Sequence, residues 1–372
     1  MSKKVIVSVI NDLVTDQRVK KVCSTLSEMG FRVVLTGRRL KESLPMDERP
    51  YPVHRMKLLF EKGPAFYLCF QIRLFFFLLL HPADLLVAND LDTLLPNFLV
   101  SRIRKIPLVY DAHEYFTGVP ELQVHPLKQK IWKKLEQWLF PKLKTIFTVN
   151  DSIAGLYEKE YGIRPVVVRN VPPKFENPNP KSRKALGLPE NKFIIIMQGA
   201  GINVHRGAEE ITEAMQYLDQ VVLLIVGNGD VLPVLKKKVA QLSLSEKVIF
   251  ISRRPYPEMM QYTAAADLGL TLDKDTNINY RYSLPNKIFD YLHAGIPVLA
   301  SRLPEIEKII ETYRVGDFIP DHNPENMAKK IKDIMDHPNR LQQWKENTAV
   351  AAAELNWETE SEKLKKVYRQ YV

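Results

Sequence analysis

The chain alternates short runs of consecutive apolar residues with longer segments in which apolar residues recur every three or four positions. Residues 5–11, VIVSVIN, are an apolar β-branched run of the buried-strand kind. The segment DQRVKKVCSTLSEM then sets Val19, Val22, Cys23, Leu26 and Met29 at helical spacing, with Asp16 as its cap and Gly30 as its stop. FRVVLTG resumes as a strand. Strand, helix and strand with short connections make a βαβ unit, which implies a parallel sheet covered on both faces. The pattern recurs through DLLVAND, TLLPNFLVSRIRK, PLVYDAHE, a helix at about 126–140, and TIFTVND.

Residues 170–182, NVPPKFENPNPKS, are rich in proline and asparagine and read as a linker, with Asn170 a turn residue or hinge. A second series follows: KFIIIMQG, helix 208–217, VVLLIVGNG, helix 231–242, KVIFIS, helix 257–265, DLGLTL, helix 285–294 and PVLAS. The terminal WETESEKLKKVYRQYV is a mixed-charge helix with no strand after it. The fold class predicted is α/β, as two consecutive doubly wound halves, 1–172 and 173–354. A chain of 372 residues exceeds what one core usually organises, which agrees with that division.

Composition changes the picture in one respect. The net charge is +10, and residues 1–172 hold 26 Lys and Arg against 17 Asp and Glu. A one-sided basic excess points to an anionic partner: phosphate, nucleic acid or a membrane surface. The two cysteines, Cys23 and Cys69, lie in apolar helical contexts without metal-ligand spacing. That excludes a zinc ribbon or a disulfide framework and fits a reducing compartment. The opening MSKKVIVSVI is too short in its apolar run for a signal peptide.

Residues 65–80, AFYLCFQIRLFFFLLL, have two readings. One is a buried helix of the first half; the other is an apolar face touching lipid. The run falls short of the roughly 20 apolar residues that a spanning helix requires, and Arg73 interrupts it, so an integral membrane protein is not expected. The nearby KQKIWKKLEQWLFPKLK, with its lysines, Trp132 and Trp138, suits an anionic interface.

Open parallel sheets bind ligands at the carboxyl ends of their strands. After KFIIIMQG, which ends at Gly199, comes AGINVHRG, with Gly201 and then Arg206 just before a helix start. Backbone N–H groups and a helix N-terminus favour phosphate, and an arginine adds charge-assisted hydrogen bonds. The glycine spacing departs from G-x-G-x-x-G, which argues against a nicotinamide cofactor. The stretch NYRYSLPNKIFDYLHAGIPVLAS begins a second helix at the same edge. Lys287 in its first turn suits a phosphate, and Asp290 one turn later suits a pair of hydroxyls. A nucleoside diphosphate offers both.

At these residues the chain resembles the retaining nucleotide-sugar glycosyltransferases of family 4, which have the GT-B fold. The resemblance is carried by NDLVTDQRVKKVCSTLSEMGFRV, ANDLDTLLP, LVYDAHE, FTVNDSIAGLYEKEYG with VVVRNVPP, QGAGINVHRG, LLIVGNGD and LPNKIFDYLHAGIPVLAS, in this order. It implies two Rossmann-like domains facing across a cleft: an acceptor domain, on which the helix at about 355–372 packs back, and a donor domain. It implies a diphosphate site at Arg206, Lys287, Gly199 and Gly201, and a ribose contact at Asp290. The donor and acceptor cleft would take Asn11, Asp12, Asp16, Asn286 and Tyr282, and the catalytic residues would be His113 and Glu114. Asp290 stands where the family's E-x7-E motif has its second glutamate, and Tyr282 stands where it has the first. Ala200 lies near a position at which many members carry a further arginine.

The activity implied is transfer of a sugar from a UDP- or GDP-sugar to a saccharide or lipid-linked acceptor in cell-surface polysaccharide or glycolipid synthesis. No cofactor and no metal are expected, since the nucleotide sugar is a substrate. The expected location is cytoplasmic, peripheral on an anionic inner membrane face, without a nucleic-acid partner. The rival readings are a D-x-D metal-dependent transferase using Asp90 and Asp92 or Asp273 and Asp275, a nucleotide-sugar epimerase on the same fold, a nucleic-acid-binding protein, and a non-catalytic sugar-binding module.

Overall fold

The computed structural model describes residues 2–14, 16–43, 45–175 and 179–372, so residues 176–178 of the expected linker lie outside the described residues. The chain divides into two compact units, Met1–Asn170 with Trp357–Val372, and Val171–Asn356. The linker segment is shorter than its composition suggested, because Val171 is fully buried in the core of the second unit.

The first unit is built on seven strands: β1 Lys4–Asp12, β2 Arg32–Arg39, β3 Val53–Lys57, β4 Leu85–Asn89, β5 Leu108–Ala112, β6 Thr145–Thr148 and β7 Val166–Val167. Their order across the sheet is β3-β2-β1-β4-β5-β6-β7, and every neighbouring pair is parallel. Residues 5–10 of β1 are buried without a break, as expected of a strand covered on both faces. β3 and β7 escape a reading by apolar runs for a physical reason. β3 is an edge strand with only Met56 buried, and β7 has two residues.

The helix Gln17–Glu28 covers one face of this sheet, and Asp16 Oδ1 accepts the Val19 N–H at 3.0 Å to cap it. The helix Trp357–Tyr368 returns to the same unit. Trp357 Nε1 donates to Thr25 Oγ1 at 3.1 Å, and Tyr368 stacks on Phe147 with ring centroids 5.7 Å apart. The apolar run forms the helix Gly63–Leu80, an 18-residue helix apolar enough to cross a membrane. Its two faces differ: Phe66, Phe70, Leu74 and Leu78 are buried in the unit, while Leu68, Ile72, Phe76 and Leu80 are exposed.

The second unit has six strands: β8 Phe193–Gly199, β9 Val221–Gly227, β10 Val248–Ile251, β11 Leu268–Thr271, β12 Val298–Ala300 and β13 Gly316–Phe318. Their order is β10-β9-β8-β11-β12-β13, again all parallel. The helices Pro304–Tyr313, Pro324–Met335 and Pro338–Glu354 complete the covering layers. Each sheet reverses its winding direction once, between β1 and β4 and between β8 and β11. At such a point neighbouring crossovers lie on opposite faces and leave a crevice at the carboxyl edge. Charge divides along with the fold: the first unit carries 30 Lys and Arg against 20 Asp and Glu, and the second 23 against 23.

Candidate active site

In the second unit the β8/β11 crevice gathers two cations. Arg206 follows β8, and its Nη1 stands 3.3 Å from Asp273 Oδ1, just beyond β11. Its guanidinium lies over the Tyr280 ring at 5.0 Å, and among the described residues its buried Nε has no acceptor. The arginine is aimed by the residue after it. Gly207 has φ +75°, and a Cβ there would come within 2.4 Å of Leu272 Cβ, so only glycine lets the loop turn into the helix Ala208–Ala214. Gly199 ends β8. A Cβ on Gly201 would make ordinary contact with Asn203 at 3.6 Å, so packing within the protein does not require glycine at that position.

Lys287 is the second residue of the helix Asn286–His293, whose N-cap Pro285 supplies φ −66°. Ile288, Phe289, Tyr291 and Leu292 bury the apolar face of this short helix in the core. Lys287 is half-buried, and among the described residues its ammonium makes no ion pair and no hydrogen bond. Burial lowers its pKa, Asp273 opposes that, and Arg206 adds to it. Two cations thus share one buried carboxylate, an imbalance that an anion would correct.

Asp290, one turn further, is held by two internal donors. The Tyr256 hydroxyl donates to Oδ1 at 2.9 Å and Gln198 Nε2 donates to Oδ2 at 3.2 Å. The Gln198 amide is oriented by Thr263 Oγ1, which donates to its Oε1 at 2.6 Å. A carboxylate oriented in this way can accept from a hydroxyl as well. Burial and Asp290 together push the Tyr256 phenol well above its ordinary pKa, so it stays a donor. Asn286 opens the helix and is exposed; Tyr282, half-buried, closes the short helix Ile278–Arg281.

The first unit gathers a different set at the β1/β4 crevice and the adjoining end of β5. Asp90, at φ 59° and ψ 165°, turns its carboxylate back so that Oδ1 accepts the His113 N–H at 2.8 Å. Its Oδ2 lies 3.4 Å from His113 Nδ1. His113 Nε2 lies 3.1 Å from Asn89 Oδ1 and 3.5 Å from Asp111 Oδ2. Asn89 Nδ2 donates to Ser8 O at 2.9 Å, which leaves Oδ1 as the acceptor and requires a proton on Nε2. Both ring nitrogens therefore face acceptors. Burial works against the charge, but Asp90 and Asp111 carry His113 up to about 9.

Asp111 is fixed in turn by Arg18, whose Nη2 and Nε reach its two oxygens at 2.8 and 3.1 Å while Nη1 donates to Val168 O at 2.7 Å. Although burial would raise it, Arg18 and His113 hold the Asp111 carboxyl far below its usual range. The other carboxyls move the opposite way. Burial raises Asp90, with His113 opposing, and burial with Asp90 and Glu114 raises Asp92 further. Glu114 keeps solvent contact, yet desolvation, Asp90 and Glu121 push it up to about 7. His113 is thus a fixed cation and hydrogen-bond donor rather than a free base.

The end of β1 and the loop after it are engaged within the chain. Asp12 pairs with Arg55 Nη2 at 3.0 Å and accepts from Ser43 Oγ at 2.6 Å. Asn11 Nδ2 donates to Asp16 Oδ2 at 3.3 Å, and Thr15 beside it lies outside the described residues. Asp16 caps its helix and adds to the negative field on Asp90. The two D-x-D pairs are split: Asp90 faces His113, Asp273 faces Arg206, and Asp275 pairs with Arg281 at the surface. Among the described residues no three His, Cys, Asp or Glu side chains converge as a metal site would require.

Sequence reasoning passed over Arg18, Asn89, Gln198, Tyr256 and Tyr280. Asn89 and Gln198 carried a usable signal, since a polar residue within the last two positions of a buried apolar strand faces the ligand edge. Arg18 and Tyr256 carried none, because each lies on a helix whose partners come from distant segments.

The geometry can be set beside known proteins. Residues 16–173 match the model described as Glycosyltransferase Family 4, and residues 178–350 that described as Glycosyl transferases group 1. D-inositol 3-phosphate glycosyltransferase 2 of Catenulispora acidiphila is 22% identical over 240 residues, covering 60% of this chain. That match spans 55% of the relative's own length, little more than half of it. Chitobiosyldiphosphodolichol beta-mannosyltransferase of Candida glabrata is 20% identical over 361 residues, covering 83% of this chain and 78% of the relative. The structure of HepE from Anabaena in complex with UDP and glucose superposes with a TM-score of 0.77 at 17% identity, covering 99% of this chain and 100% of that one.

Proposed function

The chain belongs to the family 4 glycosyltransferases of GT-B fold, and from that membership we propose that it moves a sugar from a UDP- or GDP-sugar to a saccharide or lipid-linked acceptor. The observation that carries the reading is the unpartnered ammonium of Lys287 beside Arg206 in the second unit. When the bond between the sugar C1 and the diphosphate oxygen breaks, its electron pair leaves negative charge on the diphosphate. Two fixed cations stabilise that charge more as it develops than before, and a lower barrier follows. Asp290, anchored by Tyr256 and Gln198, accepts from the ribose hydroxyls. Gly199 and Gly201 leave the loop after β8 open to the phosphates.

His113 serves the transfer step, as a charged donor to a sugar or acceptor oxygen, and Glu114 beside it exchanges the proton. Transfer retains anomeric configuration and needs no metal, because Arg206 and Lys287 supply the charge that a metal otherwise would. The acceptor side takes Asn11, Asp12 and Asp16; Asn286 and Tyr282 lie toward the donor sugar. The basic excess of the first unit supports a peripheral place on an anionic membrane in the cytoplasm, where lipid-linked acceptors for surface polysaccharide are found.

Thermal-shift and saturation-transfer measurements against UDP-, GDP-, ADP- and CMP-sugars test the reading. One nucleotide series is expected to bind, with the diphosphate required. Binding of none, or turnover of the donor sugar into an epimer without acceptor, refutes it.

A further inference from the structure

On the edge of the first sheet opposite His113 lies a cavity of about 710 Å³. Its walls include Leu108, Thr145 and Val166, which begin β5, β6 and β7, so it opens at the amino ends of the strands. Five cations line it, Arg102, Lys105, Lys142, Lys144 and Arg164, and no aspartate or glutamate does. Arg164 is engaged by Asp151 and Glu158, at 3.1 and 2.6 Å. Among the described residues the other four have no anionic partner.

A bland account exists for part of this. Cations near the last turn of a helix offset its dipole, and Arg102 and Lys105 stand at the end of the helix Leu91–Arg104. It does not account for Lys144, which lies in the loop entering β6, nor for the cavity itself. Mutual repulsion among four unpaired cations is a cost, and bound anionic charge relieves it.

The surroundings say which anion. Lys142 lies over the Trp138 ring at 4.5 Å, and Arg102 over Phe98 at 5.0 Å. The helix Leu91–Arg104 that forms one wall also borders, through Leu95, Pro96 and Leu99, an apolar groove shared with Ile72, Phe75 and Phe76. On the helices Gly63–Leu80, Leu91–Arg104 and Pro126–Leu139, which carry these side chains, Leu80 is 75% exposed, Ile103 59% and Trp138 47%. A small soluble anion has no use for an apolar rim. A phosphate headgroup with acyl chains beside it matches both parts, since cations meet the phosphate while apolar side chains enter the chain region.

We infer that this cavity is the membrane-docking site of the protein and takes the phosphate headgroup of an anionic lipid, with Ile72, Phe76, Leu80, Ile103 and Trp138 entering the acyl layer around it. The inference rests on the membrane half of the proposed function and adds the place and the ligand. It is separate from the nucleotide site, so the two fail separately. The lysines at 128, 130 and 134 of the helix Pro126–Leu139 are the competing basic face; they are exposed and do not line this cavity.

Vesicles of phosphatidylcholine, with and without equimolar phosphatidylglycerol, provide the test, with UDP and GDP binding measured on the same proteins. The wild-type protein is expected to co-sediment with the anionic vesicles and to be released by salt. Replacing Arg102, Lys142 and Lys144 together by glutamine should reduce that binding about five-fold for each cation removed, leaving nucleotide affinity unchanged. Ile103→Ser should weaken whatever binding remains. Three outcomes overturn the inference: no preference for anionic vesicles, loss of binding in the Lys128, Lys130 and Lys134 glutamine variant instead of the cavity variant, or capture of inorganic phosphate or RNA by the same cations without vesicle binding. Lost nucleotide binding with intact vesicle binding strikes the proposed activity and not the docking site.

Discussion

Lys287 and Asp290 lie one turn apart on the same short helix and meet opposite surroundings. Among the described residues the ammonium has no partner, whereas the carboxylate already holds Tyr256 at 2.9 Å and Gln198 at 3.2 Å. One residue awaits a counter-ion and the other is an acceptor held in place by internal donors.

Lys287→Ala and Arg206→Ala are each expected to weaken UDP or GDP binding roughly ten- to a hundredfold, the loss of one charge-assisted contact of about 1.5–3 kcal/mol. The corresponding nucleoside should bind as before. Titration calorimetry with both ligands decides it; equal losses for the two show that these cations do not address phosphate.

Asp290→Asn is expected to erase most of the preference for the nucleotide over its 2′,3′-dideoxy analogue, a change of about tenfold if one charged hydrogen bond is lost. Tyr256→Phe removes one of the two anchors and should move the same ratio less. An unchanged ratio in Asp290→Asn places the ribose elsewhere.

The pH dependence of stability follows from His113. Its pKa in the folded protein is about 9, above its ordinary 6.5, so the folded state binds the proton more tightly than the unfolded chain. The stabilisation is complete below 6.5 and is lost as pH rises through about 9, an effect of roughly 2–3 kcal/mol. Glu114, raised from 4.5 to about 7, weakens stability over a lower window as it ionises. Urea titrations between pH 6.5 and 9 should show a decline in the wild type and a much shallower one, left by Glu114, in His113→Gln. The same variant should lose sugar transfer while keeping nucleotide affinity.

Arg18→Ala leaves the Asp111 carboxylate buried without its cation, since the two side chains are only 3% and 4% exposed. A loss of about 3–5 kcal/mol is expected. Adding Asp111→Asn should recover part of it, because the stranded charge is then gone. Strict additivity of the two substitutions in a denaturation cycle contradicts the pairing.

Chelation should leave turnover largely intact if Arg206 and Lys287 carry the leaving-group charge. Activity lost in EDTA and restored by manganese points back to the carboxylates at 90 and 92.

Much of this protein was determined by the sequence itself. Alternation of apolar runs with helical spacing announced nearly every central strand, because a parallel strand buried on both faces is apolar along most of its length, as β1, β8 and β9 are. That Arg206, Lys287 and Asp290 lie near the carboxyl edge of one sheet was legible for a related reason: a position just after a strand is written in the order of the chain. Edge strands β3 and β7 were not legible, since a strand buried on one side or only two residues long leaves no apolar run. Only the tertiary structure brought Arg18 and Asp111, 93 residues apart, into one ion pair. Only it brought Tyr256, Gln198 and Asp290 from three elements onto one carboxylate, and four unpaired cations around one cavity. The physical reason is common to all three. Hydrogen bonds and charges act over a few ångströms, and nothing in a local pattern records which distant segment the fold brings within that range.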